Sequence, residues 1–205
     1  AIAHIIENSD KYGVDSNRIA LTGDSAGGHL SASAATMVER IGSNGFNTKT
    51  NKYEYNPTYL PKNMNVKQFR EKLIASIKAV APSYGVFATT ALKMSPAGSE
   101  EISTNNNALN AISPITNIPE SSSRKIPHFM VRGTKDPLIS NQEVQSYVDA
   151  LQEKGQEVVY IQIEGASHAF YDWKPDDITK KTFNQTGKTN IDEMLEFFNK
   201  YLNIQ

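Results

Sequence analysis

The stretch Arg18-Ile-Ala-Leu-Thr-Gly-Asp-Ser-Ala-Gly-Gly-His-Leu30 is the most informative part of the sequence. Its apolar start, Ile19 to Leu21, predicts a short buried strand, and the small residues and helix formers from Leu30 to Arg40 predict a helix. The turn between them carries Ser25, with a glycine two positions before it and another two positions after it. A serine on such a strand-to-helix turn is the pattern of a nucleophile elbow.

The elbow makes predictions about its own backbone. We expect Ser25 to adopt a strained conformation that pushes its hydroxyl out of the turn. We expect the chain to pass so close at Gly23 and Gly27 that a side chain would clash there. The following helix directs its free N–H groups and its positive end at the serine. The N–H of Ala26 is therefore the predicted donor to a developing oxyanion.

Composition narrows the possible functions. The chain has 205 residues, which is enough for one domain with a sizeable core. Its 21 basic and 22 acidic side chains give a net charge of -1, so nothing favours binding to nucleic acid or to an anionic membrane. The sequence has no cysteine, which excludes disulfides and thiol catalysis but leaves the compartment open. No stretch approaches the roughly 20 apolar residues of a membrane span.

The hydrophobic pattern alternates between strands and helices along the chain. Helices are predicted at 1–12, 27–41, 66–73, 141–154 and 189–202. Strands are predicted at 18–22, 77–81, 128–132 and 158–163. Two polar stretches, 42–65 and 94–117, are predicted to be irregular or cap-like insertions. This alternation predicts an α/β fold with a mostly parallel sheet, in a single domain over residues 1–205.

Three residues with complementary chemistry follow predicted strands. Ser25, Asp136 and His168 each lie just beyond a strand's carboxyl end, where the loops of a parallel sheet line the ligand crevice. An imidazole activates a serine hydroxyl by accepting its proton, and a carboxylate orients the imidazole and stabilises its charged form. The order serine, acid, histidine is that of the α/β-hydrolases. We therefore predict that these three form a catalytic triad.

Each member of the trio has a structural alternative. Ser25 can be part of a glycine-rich turn that opens a helix and cradles a phosphate. Asp136 can be a turn residue before Pro137, and His168 a loop or core histidine. Three further acids follow His168 in the chain, against the expected order: Asp172, Asp176 and Asp177. The remaining histidines are expected to be structural: His4, His29 and His128.

Several motifs carry a resemblance to a known family. The elbow Gly23 to Gly28 resembles that of α/β-hydrolase esterases, especially the hormone-sensitive-lipase-like and carbohydrate-acetylesterase-like branches. The segments 111–116 and 126–138 look like the acid-strand region of the second branch, and 165–170 is similar to its histidine loop. The resemblance implies a three-layer α/β-hydrolase fold. It also implies hydrolysis of short-chain or acetyl esters, possibly on carbohydrates, through an acyl-enzyme without a metal or cofactor.

The sequence departs from this family upstream of the elbow. Such enzymes have several strands and a His-Gly-Gly oxyanion loop there, whereas 24 residues precede Ser25 and none supplies that loop. We therefore expect the chain to be a C-terminal portion that lacks the N-terminal strands. A companion N-terminal segment is expected to complete it and to supply the second oxyanion donor. Two alternatives remain, a prolyl-oligopeptidase-like serine peptidase and a catalytically silent fragment.

Aromatic residues near the trio are candidate substrate contacts. Tyr84 ends the strand after the elbow, where lining an acyl pocket and packing in the core are about equally expected. Tyr171 and Trp173 follow His168 and either stack on a sugar or anchor the loop. Asp24, beside the predicted nucleophile, is interpreted as a turn residue or a substrate-side contact without a catalytic role.

Overall fold

The structure is a computed structural model that describes residues 1–47, 49, 52–89, 104–173 and 175–203. Its strands are β1 (Ile19–Asp24), β2 (Phe46–Asn47), β3 (Lys52–Tyr53), β4 (Ile77–Ser83), β5 (His128–Gly133) and β6 (Val158–Ile163). Its helices are α1 (Ile2–Glu7), α2 (Ser9–Tyr12), α3 (Ala26–Thr36), α4 (Val66–Ser76), α5 (Asn106–Ala111), α6 (Asn141–Glu153), α7 (Asp177–Thr182) and α8 (Lys188–Leu202). A π-helical turn, Phe183–Gly187, joins α7 to α8.

Four of the strands form one parallel sheet in the order β1-β4-β5-β6. The register pairs Asp24 with Ser83, and Gly133 with Ile163. The carboxyl ends of all four strands therefore meet at one edge of the sheet, which is where the predicted site residues follow.

Helices cover both faces of this sheet. Side chains alternate along β5, so Phe129 and Val131 pack with α8 residues, whereas Met130 packs with residues of α3 and α6. The helix α8 thus lies on one face and α3 and α6 lie on the other. This three-layer arrangement confirms the predicted α/β class with a parallel sheet.

The helix boundaries differ from the predictions in several places. The helix predicted over 1–12 is two helices, because the side chain of Asn8 donates to the carbonyl oxygen of His4 at 2.9 Å and the regular pattern stops there. The helix after the elbow ends at Thr36 and is followed by a 3₁₀ turn, Val38–Arg40. The helix predicted over 66–73 continues to Ser76 and leads directly into β4.

The two polar stretches contain regular structure that their composition did not predict. The first stretch, 42–65, forms the short antiparallel pair of β2 and β3. In the second stretch, residues 94–103 lie outside the described residues. The remainder forms α5, whose first turn is capped by the Asn105 side chain, and the 3₁₀ turn Pro114–Asn117. Residues 106–111 and 114–117 are therefore helical, and the prediction that the stretch is an irregular or cap-like insertion stays a prediction.

Candidate active site

Ser25 sits on a sharp turn between β1 and α3. Its φ of 52° and ψ of -116° are unusual for a residue with a side chain, so the expected backbone strain is confirmed. The Ser25 N–H donates to the carbonyl oxygen of Ser83 at 3.1 Å, which fixes the turn against the end of β4. The side chain is thereby presented at the edge of the sheet where the four strands end.

The steric role of the glycines differs in part from the prediction. A Cβ at Gly23 would lie 2.3 Å from the carbonyl oxygen of Gly27, so Gly23 is required as expected. Apart from its chain neighbours and the backbone of its own helix, a Cβ on Gly27 would meet no described atom within 4 Å, so that expectation was wrong. The second required glycine is Gly28, where a Cβ would lie 2.5 Å from the carbonyl oxygen of Ser83. This close approach lets α3 pack directly onto β4.

His168 follows β6 and reaches back to the elbow. Its Nε2 lies 2.9 Å from the Ser25 hydroxyl, and its Nδ1 lies 2.8 Å from Oδ2 of Asp136. With its hydrogen on Nδ1, the imidazole donates to the carboxylate and accepts from the serine. The ring is 13% exposed, so it is accessible from the site while most of it is packed.

Asp136 combines the two roles that the sequence left open. Its side chain is completely buried, and one oxygen faces His168. The other oxygen accepts the backbone N–H groups of Leu138 and Ile139 at 2.8 and 3.0 Å, as in a turn. The backbone turn therefore holds the carboxylate in the orientation that meets the imidazole. Of the rival acids, Asp176 caps the first turn of α7 through Thr179.

Ala26 opens the helix α3 directly after Ser25. The first N–H groups of a helix have no partner within the helix, and they lie at its positive end. This geometry agrees with the predicted role of the Ala26 N–H as an oxyanion donor, which stays a prediction.

The three aromatic candidates occupy different environments. Tyr84 is fully buried, and its ring packs against that of His168 at 5.0 Å between centroids, which favours core packing over contact with substrate. Tyr171 is half-buried, and its hydroxyl donates to Oδ1 of Asn190. Trp173 is 59% exposed and packs edge-on against Phe183. Of the three, Trp173 is the most available to a ligand.

A cavity of about 260 Å³ adjoins the histidine loop. Its walls come from that loop and from α7: Ser167, His168, Ala169, Phe170, Asp172, Ile178, Thr179 and Thr182. Both hydroxyl and apolar side chains line it. The cavity therefore offers space for part of a substrate beside the imidazole.

The other histidines make structural contacts. His29 bonds the carbonyl oxygen of Val86 at 2.7 Å, and His4 bonds the hydroxyl of Tyr12 at 2.9 Å. His128 is fully buried between the carbonyl oxygen of Ile126 and the Tyr147 hydroxyl. Burial lowers the pKa of His128 to about 4, so this imidazole is neutral near pH 7.

Sequence reasoning missed one polar contact at the site. The Tyr84 hydroxyl donates to Oδ2 of Asp24 at 3.1 Å. The two residues are 60 positions apart. The one local indication of their contact is that Asp24 ends β1 and Tyr84 directly follows the neighbouring strand β4.

Other chemistries find little support in the part of the chain that is described. Over those residues, no group of three or more His, Asp or Glu side chains is arranged to hold a metal ion. Within the same ranges, no helix has the length and apolar character needed to cross a membrane.

Solved structures superpose on this chain over almost its whole length. A bifunctional GH43-CE protein of Bacteroides eggerthii superposes with a TM-score of 0.66 at 22% identity, over 98% of this chain and 26% of that chain. Native esterase 2 of Thermogutta terrifontis gives a TM-score of 0.64 at 19% identity, over 97% of this chain and 60% of that chain. These likenesses show the α/β-hydrolase fold.

Curated relatives and a family model match by sequence. Two Mycobacterium tuberculosis (strain ATCC 25618 / H37Rv) proteins, "Probable carboxylic ester hydrolase LipM" and "Esterase LipQ", are each 29% identical over 83% of this chain. The chain spans 36% and 37% of their lengths, about a third in each case. The BD-FAE family model matches residues 1–151. Because that match covers well over half of the 205 residues, the chain belongs to the BD-FAE family, with an α/β-hydrolase fold.

Proposed function

We propose that this chain carries the catalytic triad of a serine hydrolase that cleaves carboxylic esters through an acyl-enzyme. One observation supports this most strongly. A continuous hydrogen-bond chain runs from Asp136 Oδ2 through both nitrogens of His168 to the Ser25 hydroxyl, with distances of 2.8 and 2.9 Å. The proposed base is thus within hydrogen-bond reach of both the proposed nucleophile and the orienting acid, as this chemistry requires.

The first half-reaction forms the acyl-enzyme. Ser25 Oγ attacks the ester carbonyl carbon while His168 Nε2 accepts the hydroxyl proton. The carbonyl oxygen becomes an oxyanion, to which the Ala26 N–H donates. When the tetrahedral intermediate collapses, His168 returns the proton to the alcohol oxygen, the bond from carbon to alcohol breaks, and the alcohol leaves. Asp136 stays ionised and stabilises the imidazolium that forms between these steps.

The second half-reaction repeats the proton transfers with water. His168 Nε2 removes a proton from the water, whose oxygen attacks the acyl carbon. Collapse of this intermediate breaks the bond to Ser25 Oγ, which takes back the proton from His168. The products are a carboxylic acid and the free enzyme, so no redox partner or cofactor is consumed.

The names of the relatives bear on the substrate. Thermogutta terrifontis esterase 2 and the two curated relatives are ester hydrolases or esterases by name, and "CE" and "carbohydrate esterase" occur among the names of the structural neighbours. This favours esters over the peptide substrates of the alternative. We therefore propose short-chain or acetyl esters, including those on carbohydrates, as the substrate class. Trp173, largely exposed near the histidine loop, is the proposed sugar contact.

We also propose that a companion segment completes the site. Within the described ranges, β1 pairs with β4 alone, so its other edge is open. An open apolar groove of about 570 Å³ lies between the opening helix, α3 and the segment around Tyr59, and Leu30 beside it is 66% exposed. An open strand edge and an exposed apolar groove are each typical of a surface that another element covers. Such an element is the proposed source of the second oxyanion donor.

Covalent labelling tests the proposed nucleophile. The reagent is an aryl dialkyl phosphate, which reacts with activated serines, and the modified residue is located by mass spectrometry of the digested chain. The proposal predicts a single dialkylphosphoryl group on Ser25, and no labelling of Ser25→Ala. Labelling of Ser31 or Ser33 in the same peptide, with Ser25 unmodified, would contradict it.

A further inference from the structure

The Tyr84 side chain connects the two loops that carry the proposed nucleophile and base. Its hydroxyl donates to Oδ2 of Asp24 at 3.1 Å, and Asp24 directly precedes Ser25. The ring of the same side chain packs against that of Tyr171, three residues after His168, with centroids 5.8 Å apart. One phenol group thus contacts both the elbow and the histidine loop.

The ring of Tyr84 also supports the imidazole itself. The Tyr84 and His168 rings meet edge to face, with centroids 5.0 Å apart and planes inclined at 66°. The ring of Phe170 also packs against the Tyr84 ring, with centroids 5.0 Å apart. Aromatic pairs in this arrangement attract each other beyond the area they bury. The imidazole of His168 is therefore supported by a tyrosine ring that is itself buried.

Tyr84 has little freedom to move. It is fully buried, its φ is 32°, and its N–H donates to the carbonyl oxygen of Val131 at 2.8 Å. The next residue, Gly85, lies so close to α3 that a Cβ there would be 2.8 Å from the carbonyl carbon of Gly28. The backbone around Tyr84 is thus fixed to both the sheet and the helix that begins at the elbow.

The phenol remains a hydrogen-bond donor over the working pH range. Burial raises the pKa of the Tyr84 hydroxyl, and the negative charge of Asp24 raises it further. The proton therefore stays on the phenol oxygen, and the phenol O–H donates a hydrogen bond to the Asp24 carboxylate. This carboxylate borders the elbow and has no part in the proton transfers proposed above.

We propose that Tyr84 and Asp24 are positioning residues that hold the His168 imidazole at hydrogen-bonding distance from the Ser25 hydroxyl. This inference rests on the proposed function, because it assigns a purpose to the distance between two groups of the triad. Those two groups lie on separate loops, 143 positions apart in the chain. A displacement of about 1 Å between reacting groups can cost about 10²-fold in rate. The phenol is placed to prevent such a displacement.

Graded substitutions separate the contributions of the hydroxyl and the ring. Tyr84→Phe removes the bond to Asp24 but keeps the edge-to-face contact, so kcat should fall about three- to tenfold with KM little changed. Tyr84→Leu removes the ring as well, and kcat should fall about 10²-fold. Asp24→Ala should lower kcat as much as Tyr84→Phe does. The double variant, Asp24→Ala with Tyr84→Phe, should have a kcat no lower than that of either single variant. Asp24→Asn keeps a hydrogen-bond acceptor, so its kcat should be close to that of the unaltered chain.

A matched control distinguishes positioning from general loss of packing. Tyr147 is also a fully buried tyrosine with a bonded hydroxyl, but it contacts His128 and lies in the core cluster of α3 and α6. Tyr147→Phe should lower the urea midpoint of unfolding about as much as Tyr84→Phe while leaving kcat unchanged. Equal kcat in Tyr84→Phe, Tyr84→Leu and Tyr147→Phe would overturn the inference.

A readout independent of turnover completes the experiment. The rate of Ser25 phosphorylation by an aryl dialkyl phosphate should fall in Tyr84→Leu by the same factor as kcat/KM for p-nitrophenyl acetate. An unchanged labelling rate would contradict the positioning role. Failure of the proposed function is recognised separately, since hydrolysis would then persist in Ser25→Ala whatever the Tyr84 variants do.

Discussion

Nε2 of His168 lies 2.9 Å from the Ser25 hydroxyl, although 143 positions separate the two residues in the chain. The parallel sheet explains this proximity. The elbow follows β1 and the histidine loop follows β6, and the register brings the carboxyl ends of the four strands to one edge. The strand β5 lies between β1 and β6 in the sheet, and the turn that follows β5 carries Asp136, whose carboxylate contacts the same imidazole. The proposed chemistry is thus a consequence of where the strands end.

The orienting acid can be tested by an isosteric change. Asp136→Asn should lower kcat by about 10³–10⁴-fold, because an amide in this position favours the wrong tautomer of His168. Its remaining oxygen can still accept the N–H groups of Leu138 and Ile139, so the fold should persist. The measurement is kcat for p-nitrophenyl acetate, with circular dichroism to verify folding.

Asp176→Asn is the matched control for this change. Asp176 follows His168 in the chain and caps α7 through the N–H of Thr179, a role that asparagine also performs. Its kcat should equal that of the unaltered chain. If Asp136→Asn retained full activity while Asp176→Asn lost it, the acid would have been assigned incorrectly.

The two neighbouring glycines of the elbow should respond in opposite ways to alanine. Gly28→Ala should destabilise the fold by about 1–3 kcal/mol, because the added Cβ would lie 2.5 Å from the Ser83 carbonyl oxygen. Gly27→Ala has open space around the new methyl group among the described residues and lies in a helix, so its stability should be unchanged or higher by up to about 1 kcal/mol. Urea unfolding followed by tryptophan fluorescence measures both. Equal destabilisation by the two changes would contradict the close approach at Gly28.

A buried histidine predicts how stability depends on pH. Burial lowers the pKa of His128 from 6.5 to about 4. Between pH 4 and pH 6.5 the imidazole is therefore protonated in the unfolded chain and neutral in the folded chain. This contribution to stability is complete above about pH 6.5 and is lost as the pH falls towards 4, by about 3 kcal/mol. His128→Gln should be less stable at pH 7.5 but should lose less stability between pH 7.5 and pH 5. Parallel declines in the two proteins, measured by urea unfolding, would exclude His128 as the source.

Much of the site followed from local sequence patterns. Ser25, Asp136 and His168 each follow an apolar run that predicts a strand. In a parallel sheet, residues that follow the strands lie at the same edge. The strain at Ser25 and the need for Gly23 were likewise evident from the elbow itself. These features depend on residues that are close together in sequence, so periodicity and turn chemistry are sufficient to predict them.

Other features depend on contacts between distant segments. Gly28 is required because the carbonyl oxygen of Ser83 lies close to it, and the contact of Asp24 with Tyr84 spans 60 positions. No local sequence pattern predicts either feature. The helix α5 was missed because its sequence is rich in asparagine, which has low intrinsic helix propensity. Its first turn is nevertheless capped by Asn105, and Leu109 is buried against the rest of the fold. The secondary structure of such segments is determined by tertiary packing more than by intrinsic propensity.

The most direct test of the account is hydrolysis of p-nitrophenyl acetate by this chain and by its Ser25→Ala variant, with the released nitrophenolate measured under identical conditions. We expect measurable turnover by the unaltered chain and a loss of at least about 10³-fold in the variant, since the attacking oxygen is removed. Turnover that survives in Ser25→Ala would contradict it, because the hydrolysis would then proceed without the proposed nucleophile.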